Sequence, residues 1–273
     1  MSERTVRTDD GVALHTRLDG PADAPYLLTI NSLGTDLTTW EAQVADWATT
    51  RRVLRYDQRG HGASSVPAGP YTIDRLGHDA LAVLDAYGIE RVDVCGLSLG
   101  GVVALWLGAH APDRVSRLVL ADTAARVGTE QGWRERAALV REQGMDAVVD
   151  LVLGRFFSPD FRRSGAPALD AVATALRDTR PEGYAASCEA LATADLREVA
   201  GRVGAPALVL VGTADEATPP SDARALADRL PAATYVELPV AGHLANLEQP
   251  EAFSAQVADF LAATTSSSGD IHA

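Results

Sequence analysis

The chain has 273 residues and a net charge of −13, from 24 basic and 37 acidic side chains. Its hydrophobic content of 47% is that of a globular protein, which excludes a disordered or collagen-like chain. The length suffices for a domain with a core of two or three layers. The acidic balance opposes sequence-independent binding of nucleic acid and docking on anionic membranes, so we expect neither partner.

Two further features bear on the compartment. No apolar run approaches the length of about 18 residues that a membrane span requires, and the segment after Met1 lacks the apolar region of a signal peptide. Two cysteines, Cys95 and Cys188, cannot form a disulfide framework. We therefore expect a cytoplasmic protein with reduced thiols. The sequence carries no signal for the oligomeric state.

The first half of the chain alternates short apolar runs with longer amphipathic segments. Helical periodicity predicts helices over Thr72–Tyr87 and Leu99–Ala111. This alternation is typical of an α/β protein whose mostly parallel sheet has helices on both faces. The apolar runs that predict its strands are Tyr26–Ile30, Arg52–Tyr56, Val92–Cys95 and Arg117–Ala121.

From about residue 126 to residue 199 the strand runs give way to consecutive helical patterns. This stretch is either a separate helical domain or an insertion, and we favour an insertion because the strand after it needs the sheet before it. We therefore predict a core of residues 1–124 and 201–264, an all-helical cap (lid) at 125–200 and a flexible tail at 265–273. The predicted elements are helices at Glu130–Glu142, Met145–Leu153, Pro167–Arg177 and Pro181–Ala192, then a strand at Pro206–Gly212, a helix at Ser221–Leu230, a strand at Thr234–Leu238 and a helix at Pro250–Ala262.

The motif Gly96-Leu97-Ser98-Leu99-Gly100 directly follows a predicted strand and opens a predicted helix. A nucleophile on so tight a turn needs glycines two residues before and two residues after it, because the strand and helix backbones approach closely there. The Ser98 hydroxyl would then stand at the carboxyl edge of the sheet, beside a helix N-terminus that favours developing negative charge. The alternative is a serine in a glycine-rich turn without a catalytic role.

A serine nucleophile needs a base, and the base needs an orienting acid. His243 is the candidate base, since it follows the last predicted strand and completes the chain order of nucleophile, acid and base. Asp215 follows the strand Pro206–Gly212 and is the candidate acid. The adjacent Glu216 is its rival, and we favour Asp215 because the shorter side chain suits the tight loop.

An ester carbonyl also needs backbone N–H groups aimed at its developing oxyanion. The N–H of Leu99, next to the nucleophile, is one candidate. The N–H of Leu33, in the loop after the strand Tyr26–Ile30, is the other, and its alternative is an ordinary glycine turn. We find no phosphate-binding glycine loop and no metal-ligand spacing, so we expect neither a cofactor nor a metal.

With these motifs in order, the chain resembles the α/β-hydrolase superfamily along nearly its whole length, and within it the 3-oxoadipate enol-lactonases. Leu99 stands where that family usually has Met, and Gln58 is a second small departure. The stretches that carry the resemblance are Asn31–Asp36, Arg55–Gly62, Tyr71–Ile73, Cys95–Gly101, Pro181–Tyr184, Ala217–Pro220 and Ala241–Asn246.

The resemblance implies a Ser98–His243–Asp215 triad that hydrolyses a small anionic lactone, 3-oxoadipate enol-lactone, through an acyl-enzyme in aromatic catabolism (the β-ketoadipate pathway). Because the protein itself carries −13, an anionic substrate needs a local positive group. The helical insertion offers Arg126, Arg134 and Arg136 around Trp133. We expect Trp133 to wall the pocket and Arg134 to pair with the substrate carboxylate. The alternative is a solvated helix face.

Two other classes of function remain open on the sequence. A general carboxylesterase, a cofactor-free perhydrolase or a C–C bond hydrolase would keep the triad and change the substrate. A non-catalytic, signal-binding protein would use the same fold as a receptor.

Overall fold

The computed structural model describes residues 2–263, which contain eight strands and eleven α-helices. The predicted tail at 265–273 lies outside the described residues. The strands are β1 (Ser2–Arg7), β2 (Ala13–Asp19), β3 (Tyr26–Ile30), β4 (Arg52–Tyr56), β5 (Val92–Leu97), β6 (Val115–Ala121), β7 (Ala207–Gly212) and β8 (Ala233–Leu238). The helices are α1 (Glu41–Trp47), α2 (Ile73–Ala86), α3 (Leu99–His110), α4 (Glu130–Gln143), α5 (Asp146–Phe156), α6 (Pro159–Ser164), α7 (Pro167–Asp178), α8 (Pro181–Thr193), α9 (Pro220–Ala227), α10 (Ala245–Glu248) and α11 (Pro250–Ala262).

All eight strands form one sheet in the order β1-β2-β4-β3-β5-β6-β7-β8. The pairs β1–β2 and β2–β4 are antiparallel, and every other pair is parallel. Each residue of the central strand β5 is buried, as expected for a parallel strand that helices cover on both faces. The predicted fold class is therefore confirmed.

Most predicted elements match the observed ones to within a few residues. Helix α2 begins where the Thr72 hydroxyl accepts a hydrogen bond from the Arg75 N–H at 3.1 Å, which satisfies one of the free donors of its first turn. Strands β1 and β2 and helices α1, α6 and α10 had no predicted range in the sequence analysis. In β1 only Val6 is buried, so the strand has no apolar alternation to read and forms by pairing with the edge of β2.

Helices α4 to α8 follow one another between β6 and β7 and form what we call the helical segment. It is joined to the sheet domain by polar and backbone contacts. The Glu248 carboxylate accepts hydrogen bonds from the N–H and the hydroxyl of Ser158, both at 2.7 Å. The Leu244 N–H donates to the Phe156 carbonyl at 2.9 Å. Because Leu244 follows His243, these contacts tie the helical segment to the loop of the candidate base.

Two glycines meet where α8 reaches the sheet domain. A Cβ atom built on Gly183 would lie 2.3 Å from the Gly60 carbonyl oxygen, which is closer than any stable contact. Glycine at position 183 thus permits the backbones of α8 and of the loop after β4 to touch. Among residues 2–263, no helix combines the length and the apolar character needed to cross a membrane.

We expect Gly183→Ala to lower the free energy of unfolding by about 1–3 kcal/mol, because the added methyl group must push two backbones apart. Urea unfolding followed by circular dichroism measures this difference. Gly204→Ala is the matched control, since a methyl group at that position would meet no atom within 4 Å and little change is expected. Equal stability of the two variants would contradict the close contact.

Candidate active site

Ser98 lies at the junction of β5 and α3 with φ 56° and ψ −115°, a backbone conformation that few non-glycine residues adopt. A Cβ on Gly96 would lie 2.2 Å from the Gly100 carbonyl oxygen, and one on Gly100 would lie 2.1 Å from that of Ile30. The glycines therefore allow the close approach that the sequence pattern predicted. The Ser98 side chain does not cap α3 and makes no hydrogen bond with the described residues, so its hydroxyl is available.

His243 and Asp215 form a buried pair. His243 follows β8 and is 1% exposed, Asp215 follows β7 and is 3% exposed, and His243 Nδ1 lies 2.8 Å from Asp215 Oδ2. Thr218 Oγ1 donates to the same oxygen at 2.7 Å, and the N–H groups of Ala217 and Thr218 donate to Oδ1 at 2.7 and 2.9 Å. The rival Glu216 is exposed, so Asp215 is the carboxylate that meets the imidazole.

The hydrogen bonds fix the charge of Asp215. Burial by itself would raise its pKa, but the charge of His243 and the hydrogen bonds from His243 and Thr218 outweigh burial and hold the pKa below its usual value. The aspartate is therefore ionised at neutral pH. An ionised aspartate that accepts from Nδ1–H leaves Nε2 as the imidazole atom that can take a proton.

Ser98 and His243 line one cavity of about 460 Å³, which lies between the helical segment and the sheet domain. The two side chains share this space without a hydrogen bond between them. Such contacts are often long in unliganded enzymes and close when substrate binds. The Phe156 ring packs on the imidazole with 5.4 Å between ring centroids, which limits where His243 can turn.

The two candidate oxyanion donors are Leu99, which directly follows Ser98, and Leu33, which lines the same cavity. Leu99 is the first residue of α3, so its N–H is one of the donors that a helix leaves unpaired. Leu33 lines the cavity in the loop after β3. The next N–H in that loop, of Gly34, donates to His61 Nε2 at 2.9 Å, and His61 Nδ1 lies 3.2 Å from the Arg59 carbonyl. Burial lowers the pKa of His61, so it stays a neutral acceptor that holds the loop.

Of the two residues expected to bind substrate, Trp133 lines the cavity and Arg134 does not. Trp133 lines the cavity, and its indole N–H donates to the Val127 carbonyl at 2.6 Å. Arg134 does not line it: the side chain is 58% exposed and pairs with Glu130 at 2.8 Å. The prediction for Arg134 is corrected by helix geometry, since a residue one position after Trp133 points about 100° away around α4.

Arg136 takes the place expected of Arg134. It lines the cavity three residues after Trp133, and its guanidinium carbon lies 4.8 Å from the centre of the Trp133 ring. Arg155, which the sequence analysis did not identify, lines the same cavity. Neither arginine forms an ion pair within residues 2–263, whereas Arg134 and Arg141 on the same helix are both paired. The three-residue spacing from Trp133 could have indicated Arg136 from the sequence alone.

Other reactive groups are shielded. Burial raises the pKa of the Cys95 thiol, so this cysteine beside the Ser98 turn is an unreactive core residue. In the described part of the chain, no cluster of three or more His, Cys, Asp or Glu side chains is arranged to hold a metal ion.

Residues 25–250 match the family model described as the alpha/beta hydrolase fold, and the chain belongs to this family. Within it, the chain is 41% identical over 247 residues to 3-oxoadipate enol-lactonase 2 of Acinetobacter baylyi, covering 90% of this chain and 92% of that one. It is 39% identical to 3-oxoadipate enol-lactonase 1 of the same organism, covering 91% and 92%. The crystal structure of the enol-lactonase from Burkholderia xenovorans LB400 superposes with a TM-score of 0.93 at 43% identity, covering 95% of this chain and all of that chain. The sequence resemblance is thereby confirmed.

We expect Asp215→Asn to remove a pH-dependent stabilisation. Because the folded-state pKa of Asp215 lies below its unfolded value of 3.8, the stabilisation is present above that pH and is lost as the pH falls through the folded-state pKa. Urea unfolding from pH 3 to pH 6 should show wild type exceeding the variant by a margin that shrinks as the pH falls. Glu216→Gln, in the exposed neighbour, should show no comparable trend, and a margin independent of pH would contradict the prediction.

Proposed function

We propose that the protein is a serine hydrolase of carboxylic esters that opens 3-oxoadipate enol-lactone to 3-oxoadipate. The observation that carries the proposal is one cavity that joins Ser98 and His243 to Arg136, which forms no ion pair within residues 2–263. The enol-lactonases at 41%, 39% and 43% identity support the choice of substrate. In this proposal residues 125–200 act as the cap that closes over the site.

The first half of the reaction forms an acyl-enzyme. Ser98 Oγ attacks the lactone carbonyl while His243 Nε2 takes its proton, and ionised Asp215 stabilises the imidazolium that forms. The N–H groups of Leu33 and Leu99 hold the oxyanion of the tetrahedral intermediate. The bond between the carbonyl carbon and the ring oxygen then breaks, and His243 returns the proton to the departing enolate oxygen.

The second half of the reaction hydrolyses the acyl-enzyme and regenerates free Ser98. The enol leaving group becomes a ketone, which makes ring opening hard to reverse. His243 then removes a proton from a water molecule, the hydroxide attacks the acyl-enzyme, and Ser98 leaves with that proton. One water is consumed, and the new carboxylate carries the former lactone carbonyl.

The charges of the cavity suit the anionic substrate. A protein of net charge −13 repels an anion unless a local cation faces it. Arg136 has no acidic partner among the described residues, and Trp133 holds its guanidinium against the cavity wall. A carboxylate that reaches Arg136 therefore completes an ion pair that the protein alone leaves open.

A general carboxylesterase is the second candidate. Val127, Leu139 and Val152 line the same cavity and offer an apolar surface to a neutral acyl chain. The kinetic comparison of the enol-lactone with muconolactone, its non-enol isomer, and with p-nitrophenyl acetate separates the two. Faster turnover of the simple ester would favour the esterase.

We expect wild-type protein to remove the ultraviolet absorbance of the enol-lactone, and Ser98→Ala to lower kcat at least about 10⁴-fold, because the nucleophile is lost. Stopped-flow absorbance measures both rates. Ser65→Ala, which alters an exposed serine, is the control and should keep wild-type activity. Unchanged absorbance with wild-type protein would disprove the proposed substrate.

We expect Arg136→Gln to raise KM for the enol-lactone about 10- to 100-fold with a smaller change in kcat, since one charge-assisted pair with the substrate is lost. Steady-state kinetics should show no such change for the neutral p-nitrophenyl acetate. Arg134→Gln is the matched control on the same helix and should leave both substrates unaffected. An equal effect of the two variants would count against Arg136 as the carboxylate partner.

A further inference from the structure

The segment Ala121–Thr123 at the carboxyl end of β6 contacts the Ser98 turn from two sides. The Ser98 N–H donates to the Ala121 carbonyl at 2.9 Å, and the Thr123 hydroxyl donates to the Ser98 carbonyl at 2.8 Å. The backbone of the candidate nucleophile is therefore fixed by the residues on either side of Asp122.

Asp122 itself reaches the other two loops of the site. Its Oδ1 accepts the Gly212 N–H at 2.8 Å, three residues before Asp215. The Ala245 N–H, two residues after His243, interacts with the same carboxyl group. The side chain is fully buried, and the backbone has φ 45°, a left-handed conformation that is costly for most residues other than glycine, asparagine and aspartate.

Asp122 forms no ion pair within residues 2–263. The charged groups that act on it most are the carboxylates of Asp215 and Glu248, and its Oδ2 has no hydrogen-bond partner in the described structure. A buried carboxylate without a cation, next to two acids, is strongly disfavoured. Burial first, and the charge of Asp215 second, raise the pKa of Asp122 well above its usual value.

We propose that Asp122 is a positioning residue whose neutral carboxyl group holds the loops of Asp215 and His243 in register with the Ser98 turn. The proposal deepens the function proposed above and rests on the Ser98–His243–Asp215 triad, but it does not depend on the identity of the ester.

A difference in hydrogen bonding explains why Asp215 is ionised and Asp122 is neutral. Asp215 accepts from Ala217, Thr218 and His243, which favours its charged form. Asp122 accepts the Gly212 N–H at 2.8 Å and interacts with the Ala245 N–H, and a neutral carboxyl group can accept from both. Since two adjacent carboxylates do not both ionise easily, the negative charge stays on Asp215, where it can stabilise the imidazolium of His243.

The test compares Asp122→Asn with Asp122→Ala on p-nitrophenyl acetate, at a temperature where both variants are folded. The Asn amide has the shape of the neutral acid, can accept the Gly212 N–H and tolerates φ 45°. We expect Asp122→Asn to keep kcat within about threefold of wild type, and Asp122→Ala to lower kcat about tenfold or more while KM stays nearly constant, because misplaced catalytic groups slow the chemical step. Rescue by the conservative variant separates positioning from general loss of structure.

A second measurement, the stability of wild type and of Asp122→Asn as a function of pH, tests the protonation state of Asp122. Because the folded-state pKa of Asp122 lies above its unfolded value of 3.8, its stabilisation is complete below that pH and is lost as the pH rises through the folded-state pKa. Relative to the variant, the unfolding constant of wild type should therefore increase with pH between pH 4 and pH 8, by up to about tenfold per pH unit.

Three results would overturn the proposal. These are loss of activity in Asp122→Asn as large as in Asp122→Ala, unchanged kcat in both, or a stability difference that does not vary with pH. Failure of the proposed substrate is a separate outcome, since it appears as wild-type protein that turns over p-nitrophenyl acetate and leaves the enol-lactone intact.

Discussion

The close approach of β5, α3 and the β3 loop around Ser98 is the constraint on which the site depends. Gly96 and Gly100 leave no room for a side chain, so the backbone can turn within one residue and present Ser98 in a left-handed conformation. The hydroxyl then stands at the start of a helix, beside the free N–H of Leu99. A larger residue at Gly96 would push β5 away from α3, and one at Gly100 would push α3 away from the end of β3. Either change would displace Ser98 within the cavity that it shares with His243.

A second layer of hydrogen bonds fixes the parts around this turn. His61 holds the N–H that follows Leu33, and the residues Ala121–Thr123 hold the Ser98 backbone. Asp215 receives its hydrogen bonds from its own loop and from His243, so its charge is directed at the imidazole. Most of these contacts are made to backbone groups, so they fix the loops, and the loops in turn fix the candidate catalytic side chains.

The helical segment contributes aromatic and charged side chains to the cavity. It is anchored to the sheet domain through Ser158 and Glu248 and through the contact of Gly183 with Gly60, close to the loop of His243. From this segment Trp133, Arg136 and Arg155 face the cavity. Arg136 and Arg155, which form no ion pair within residues 2–263, outnumber Glu135, the one acidic side chain of the lining, so the cavity carries more positive than negative groups although the protein is acidic.

The sequence by itself determined the alternation of strands and helices, the turn at Ser98 and the order of Ser98, Asp215 and His243, because apolar periodicity, glycine spacing and chain order are local or topological signals. The tertiary structure decided what depends on direction and distance. The rotation of α4 directs Arg136 into the cavity and Arg134 into solvent. Asp215 is buried whereas its neighbour Glu216 is exposed. The loops after β6, β7 and β8 come together at Asp122. Strand β1 has no apolar alternation in its sequence, because it is stabilised by backbone pairing with the edge of β2. Contacts between residues far apart in the chain leave no periodic trace, so only the folded arrangement could reveal them.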